Sequence, residues 1–453
     1  MRVGAVATAG LLAVAVALAG CGSSSSSSST GTSANSGGDI PALNASEKQT
    51  VTYWVPFTGS ELSMLKKVIG GFEAANPNIK VNLVGNINDD KIIAAAHSGN
   101  VPDAALSFTT DNTGVFCRDG AFLSLNKAIE RDKIDVNNFP EAQRNYTEYK
   151  GNRCVLPAMA DVYGLYYNKA LLAKAGITSP PKTMTELSED AKKLTVRSGN
   201  SFKRVGYTPF AGFYENAAAH YGPSFGTTWV QSNGKSAVGT DPGWAEEAEW
   251  VKSLVDYYGH DALVRFQAGA GGEFTSSQGF MTEKLAMSID GEWRTALIKS
   301  EAPKLEYATA PLPVADNKSE LYGGGYTTGN ITGILKGAHH PAGAWELIKY
   351  LATNEKAQVE LSEDLGNVPT WSPALPAATA KASPQFQTFL KIFANPHTVT
   401  TPITPAGEGP QQTLEKYFEK YQAGEGGELK KGLEGVASQI DAEEAQASGA
   451  GVP

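Results

Sequence analysis

The chain has 453 residues, of which 41% are hydrophobic and 19% charged, enough apolar content to bury a sizeable core and exclude wholesale disorder. Its formal net charge of −9, from 38 basic and 47 acidic residues, comes without a long Lys/Arg run and excludes nucleic-acid binding by phosphate neutralisation. Three cysteines are too few for a disulfide-built scaffold, and at roughly 100–200 residues per domain the length fits two or three domains.

The first segment reads as an address. Arg2 supplies a positive start, and residues 5–19 form a mostly apolar, uncharged run, shorter than the ~20 residues of a spanning helix. It ends at Leu18, Ala19, Gly20 and Cys21, which resembles a bacterial lipobox; the resemblance implies a signal peptide over 1–20, cleavage before Cys21 and diacylglyceryl modification of its sulfur. Residues 21–44 begin with a Ser/Gly-rich stretch that cannot build a core, and its first ~17 residues form a tether with a reach of roughly 20–25 Å. With Cys21 lipidated, Cys117 and Cys154 remain. In an oxidising, exported setting they suggest one bridge, the alternative being two buried free thiols.

Downstream, strands and helices alternate. Residues 50–55 are β-rich, and 61–75 carry Leu62, Leu65, Val68, Ile69 and Phe72 at helical spacing until Asn76-Pro77 stops them. Ile79, Val81 and Leu83 alternate as a second strand, 91–96 is a short helix, and 104–108 a third strand. This β-α-β-α-β order predicts a parallel sheet covered by helices, which binds ligands at the carboxyl ends of its strands. Later, Thr183 and Glu186 form a capping box for a helix through Leu194, and helices follow over 244–257, 342–351 and 428–445.

Enzyme motifs lack their context. Gly222, Ser224 and Gly226 fit G-x-S-x-G, but the β-branched, polar 227–233 does not continue as the helix a nucleophile elbow requires. Ser63/Lys66 and Ser124/Lys127 fit S-x-x-K without partner motifs, and Gly234, Lys235 and Ser236 end like a P-loop whose first glycine is replaced by Trp229. The six histidines show no zinc spacing. No catalytic residue, metal ligand or cofactor is implied.

An ordered set of segments carries a family resemblance: Tyr53 to Phe57 after the tether; Phe72, Glu73, Asn76, Pro77, Ile79 and Val81; Gly99, Pro102 and Asp103; Tyr163 to Lys169; Gly176, Ile177 and Pro180 to Thr183; Phe280 to Trp293 with Gly291, Glu292 and Trp293; Pro311 to Pro313; and Gly323 to Tyr326. Over about 48–445 the chain resembles the family 1 extracellular solute-binding proteins, the sugar-capturing lipoproteins of ABC importers, and is similar to their maltodextrin-binding branch. The resemblance implies an α/β, two-lobed periplasmic-binding-protein-like fold (type II), with a ligand cleft between the lobes and a multi-strand hinge. Crossings are expected near Pro157, near 307–313 and near 366–369, giving a first lobe of 45–156 plus 310–366 and a second of 157–309 plus 367–453. It further implies a monomer held by its lipid at the outer face of the cytoplasmic membrane, with a saccharide and the permease subunits as partners. Alternatives are another small solute (a polyamine, a metal complex or a phosphodiester) or, further off, a serine hydrolase lipoprotein.

A sugar site needs aromatic platforms for C–H faces and planar polar groups for hydroxyls. Asp111, just past the third strand, and Asp161, before the Tyr163 segment, match family ligand-contacting carboxylates, with Asn112 beside the first. Trp293 matches the family's stacking aromatic. Phe57 and Glu61 follow the first strand, Tyr326 follows three glycines, Trp371 lies past a crossing, and Phe210 and Tyr214 fall where relatives carry cleft aromatics. Unlike the maltodextrin branch, residues 402–412 hold no aromatic, which argues against maltodextrin itself but not against a saccharide.

Overall fold

The computed structural model describes residues 39–211 and 214–449. Strand β1 (Gln49–Trp54) is followed by helix α1 (Gly59–Ala75), β2 (Ile79–Val84), helix α2 (Asp89–Ser98) and β3 (Ala104–Ser107). β1 pairs in parallel with both β2 and β3. Leu65, Val68, Ile69 and Phe72, the apolar face of α1, are buried against this sheet. The parallel start expected from the alternating pattern is therefore present, with α2 capped by the Asn88 side chain and closed by Gly99 in the left-handed region.

The centre of the fold is β4 (Leu156–Asn168), thirteen residues with almost every side chain buried. A near-continuous apolar run of this kind suits a strand covered on both faces. Its first half, from Leu156 to Val162, pairs antiparallel with β9 (Thr327–Ile334), the register slipping at Pro157, which lacks an N–H to donate. Its second half pairs with β7 (Met287–Gly291) and β8 (Tyr307–Ala310). A short hairpin of β5 (Val196–Ser198) and β6 (Ser201–Arg204) stands apart. The main sheet runs β2-β1-β3-β9-β4-β7, with β8 also on β4.

Two packed regions lie along this sheet. Leu156, Ala158 and Met159 of β4 join a core with Val51, Tyr53, Phe72, Ile79 and Trp345. Further along the same strand, Val162 and Tyr166 pack with Val251, Phe280 and Phe389, and Tyr163 and Leu165 with Leu187, Met287 and Leu312. β9 makes the second crossing: Thr327 faces Val162 and Ile334 faces Ala104. The expected crossing at 307–313 falls inside the second region instead, because Leu312, Ala315 and Tyr326 share the core of Leu187 and Met287. Near the third expected crossing, Val368 bridges Ala160, and both pack in the core of Val162 and Phe389.

Helix α3 (Thr113–Arg118) follows β3, and its Cys117 is joined to Cys154 at the entry to β4, Cα–Cα 5.5 Å. Residues 399–409 return across the molecule. Val399 pairs with Tyr326, and the Arg118 guanidinium donates to the carbonyl oxygens of Pro405 and Ala447. Among the described residues, no helix is long and apolar enough to cross a membrane. Cys21 and its surroundings lie outside the described residues.

Candidate ligand cleft

The chain leaves β3 at its carboxyl end, where Phe108, Thr109 and Asp111 border a cavity of about 410 Å³. Asp111 sits in the 3-10 turn Thr110–Asn112, which the Thr110 and Thr328 hydroxyls pin to β9 at 2.7 Å. The opposite wall holds His220, Tyr326, Glu408 and the helix Gly409–Gln422, which contributes Gln411 and Glu415.

Asp111 is only 8% exposed, and its Oδ1 has no hydrogen-bond partner. Burial first, and then the neighbouring Glu408, push its carboxyl up to about 7 against an opposing contribution from Gln411. Gln411 Nε2 is likewise buried without a partner. Buried polar atoms are normally paired. Gln411 nevertheless lies near enough to Asp111 to hold its carboxyl down as a weak hydrogen-bond donor, and a ligand hydroxyl, which both donates and accepts, fits between the two.

Behind His220 and Tyr326, which border the cavity, aromatic rings touch in series, with Tyr163 and Trp293 set back from it. Trp293 meets Tyr163 edge-on at 5.6 Å, Tyr163 stacks on His220 at 3.9 Å, and His220 lies 5.0 Å from Tyr326. Trp293 is half-buried, and its indole N–H is buried without a partner. Burial pushes the His220 imidazole down to about 4, partly offset by its bond to the Glu215 carbonyl, so the ring is neutral at pH 7. The Tyr326 hydroxyl meets that of Thr401 at 2.9 Å.

Asp161 belongs to the crossing. Asn367 donates to its Oδ1 at 2.6 Å and Asn330 to its Oδ2 at 3.4 Å. The same Asn367 amide donates to Glu292 at 3.1 Å, and Glu292 also accepts from the Val162 backbone N–H at 2.7 Å. Burial, with Glu61 repelling, pushes the Asp161 carboxyl up to about 7, and Glu292 is raised further by burial and by Asp161. Glu61 itself is exposed, yet crowded enough by protein that its carboxyl is raised too.

Several expected ligand contacts have other employment. Phe57 is 3% exposed and belongs to the first core, where it meets Phe108 edge-on at 5.0 Å; Phe108, 45% exposed, is the ring that borders the cavity. Trp371 is buried in the same core, edge-on to Phe139 at 5.0 Å, because the turn after the Val368 bridge folds back toward the first region. The Asn112 amide is spent on Asp89 at 2.7 Å and Glu408 at 3.4 Å. Phe210 packs on His260 at 5.4 Å, away from the cavity. Tyr214 opens the turn Tyr214–Asn216, and its side chain lies outside the described residues. Ser224 lies in the helix Ala218–Phe225, which ends at Gly226, so the G-x-S-x-G pattern is not a strand-to-helix elbow. Sequence reasoning missed Phe108, His220, Glu408, Gln411 and Glu415. The available signal for Phe108 was its place at the end of the third strand, and Glu408 and Gln411 fall in the very stretch noted for lacking an aromatic.

Residues 67–388 match the family model described as bacterial extracellular solute-binding protein. The chain belongs to this family. Among its relatives, this solute-binding protein is 22% identical to the maltotriose-binding protein of Pyrococcus abyssi, over 74% of this chain and 69% of the relative. It superposes on the mannotriose complex of CpMnBP1 with a TM-score of 0.76 at 25% identity, covering 86% of this chain and 99% of the other. It also superposes on the sugar-binding protein MalE of Xanthomonas citri with a TM-score of 0.72 at 18% identity, covering 88% and 98%. The fold of this solute-binding protein is the two-lobed α/β type, with the cavity beside Asp111 opening where chain from the two packed regions meets.

Proposed function

We propose that this protein captures a saccharide in the cleft between its lobes and delivers it to the membrane permease of an ABC importer, without chemical conversion. The observation that carries the reading is a cavity on which the under-satisfied polar pair Asp111 and Gln411 stands beside the rings of Phe108 and His220. Hydroxyls and apolar C–H faces in one ligand answer both kinds of surface. The family membership and the sugar-binding relatives support the same reading. Asp111, Glu61, Tyr326, Trp293 and Asp161 remain the proposed ligand-facing or ligand-supporting residues. The first lobe gathers around the core of Val51, Phe72 and Trp345 and the second around those of Val162 and Leu187, with Val368 packed in the second and Trp371 in the first. Cys21 carries the lipid that holds the protein, as a monomer, at the outer face of the cytoplasmic membrane.

A thermal-shift screen of the full chain over mono- and oligosaccharides tests the reading. A ligand present at ~100 times its Kd adds about 2.7 kcal/mol of stability, which moves the melt visibly. No shift across the collection, or turnover of a glycoside that Ser224→Ala abolishes, contradicts it.

A further inference from the structure

We propose that the ligand is an oligosaccharide, and that its distal unit lies on Trp229 in a second recess beside the main cavity. This rests on the saccharide reading above. The recess, about 250 Å³, is bordered by Thr227, Trp229, Val230, Val399 and Thr400, and it shares Ala219 and Tyr326 with the cavity of Asp111. On its own it falls below the roughly 300 Å³ of a self-sufficient small-molecule site, so it suits an extension of a longer ligand.

Its platform is built and rigid. Trp229 is half-buried, and its ring meets Trp244 edge-on at 4.7 Å. Its carbonyl accepts from the Ala237 N–H at 2.8 Å. The residue before it is held from both sides: Asp241 accepts the Thr228 N–H at 2.8 Å and hydroxyl at 2.6 Å, and the Trp244 indole donates to the Thr228 carbonyl at 2.9 Å. A flat ring fixed in this way presents a surface for an apolar sugar face at little ordering cost. Val230 and Val399 stand exposed at 43% and 46% on the rim, where single large apolar side chains of this kind gain from being covered. Thr400 Oγ1 is buried at the same recess without a hydrogen-bond partner, and supplies the polar contact that a ring hydroxyl takes.

Calorimetric titration of the full chain with manno- and malto-oligosaccharides of one to five units tests the proposal. Affinity is expected to rise at least tenfold at the length that reaches Trp229. Trp229→Ala is expected to remove that increment and leave shorter chains of the same series unchanged. Because Trp229 also packs on Trp244, Thr400→Val on the facing wall serves as a second variant, expected to weaken only the longer chains, by threefold or more. Equal affinity at all lengths, or a long-to-short ratio unchanged in both variants, overturns the proposal and leaves the saccharide reading standing. Absence of binding at every length in both series overturns that reading, and the proposal with it.

Discussion

Asp111 joins a structural cost to a functional opening. Its carboxyl is pushed up to about 7 in the folded chain, where an unfolded aspartate titrates near 4. A raised acid contributes stability fully below the unfolded pKa, and that contribution is lost as pH rises through the folded value. Wild type therefore loses stability between pH 5 and pH 8 through this group, and Asp161, also near 7, acts in the same direction. Asp111→Asn removes the titration: the stability difference between variant and wild type is expected to shift in the variant's favour by about 1–3 kcal/mol from pH 5 to pH 8, read by denaturant melts. A difference independent of pH contradicts the burial of Asp111. Two tryptophans contrast a core ring with a proposed ligand-facing one. Trp371, buried against Phe139, is expected to cost ~3–5 kcal/mol of stability when truncated to Ala. Trp293→Ala, at a half-buried ring with an open N–H, is expected to lose ligand affinity while melting closer to wild type. Trp293 was expected in the cleft from its match to the family's stacking aromatic and Trp371 from its place past a crossing, and packing is what distinguishes them.

At the level of elements, α1, β1 to β3 and their parallel pairing were legible, because helical spacing, alternation and the Asn76-Pro77 stop all agree locally. The crossing by β9 was not. Thr327 to Ile334 is polar and glycine-bearing, and it is buried only because β3 and β4 flank it on both edges, a long-range fact that periodicity does not encode. The same reason displaced the expected crossing from 307–313. The bridge between Cys117 and Cys154 ties α3 to the entry of β4 and closes a loop with a sequence separation of 37. Replacing both cysteines by serine is expected to cost about 4 kcal/mol in the chain-entropy picture, read as a lower denaturation midpoint under non-reducing conditions. A midpoint equal to that of the oxidised wild type contradicts a stabilising bridge.

For the whole molecule, the candidate site was partly legible. Asp111, expected from its place at the end of a parallel strand, does border a cavity. Its opposite wall, Glu408 to Glu415, lies about three hundred residues away, and only the return of 399–409 across the molecule brings the two together. Ligand capture in that cleft is most directly tested by titration calorimetry of the full chain, wild type and Asp111→Ala, with the tightest saccharide of the thermal-shift screen. The expected result is one site per chain in wild type and an affinity lower by about 1.5–3 kcal/mol in Asp111→Ala, the loss of a charge-assisted hydrogen bond. Undiminished affinity in a variant that melts no lower than wild type would place the ligand elsewhere and contradict the cleft assignment.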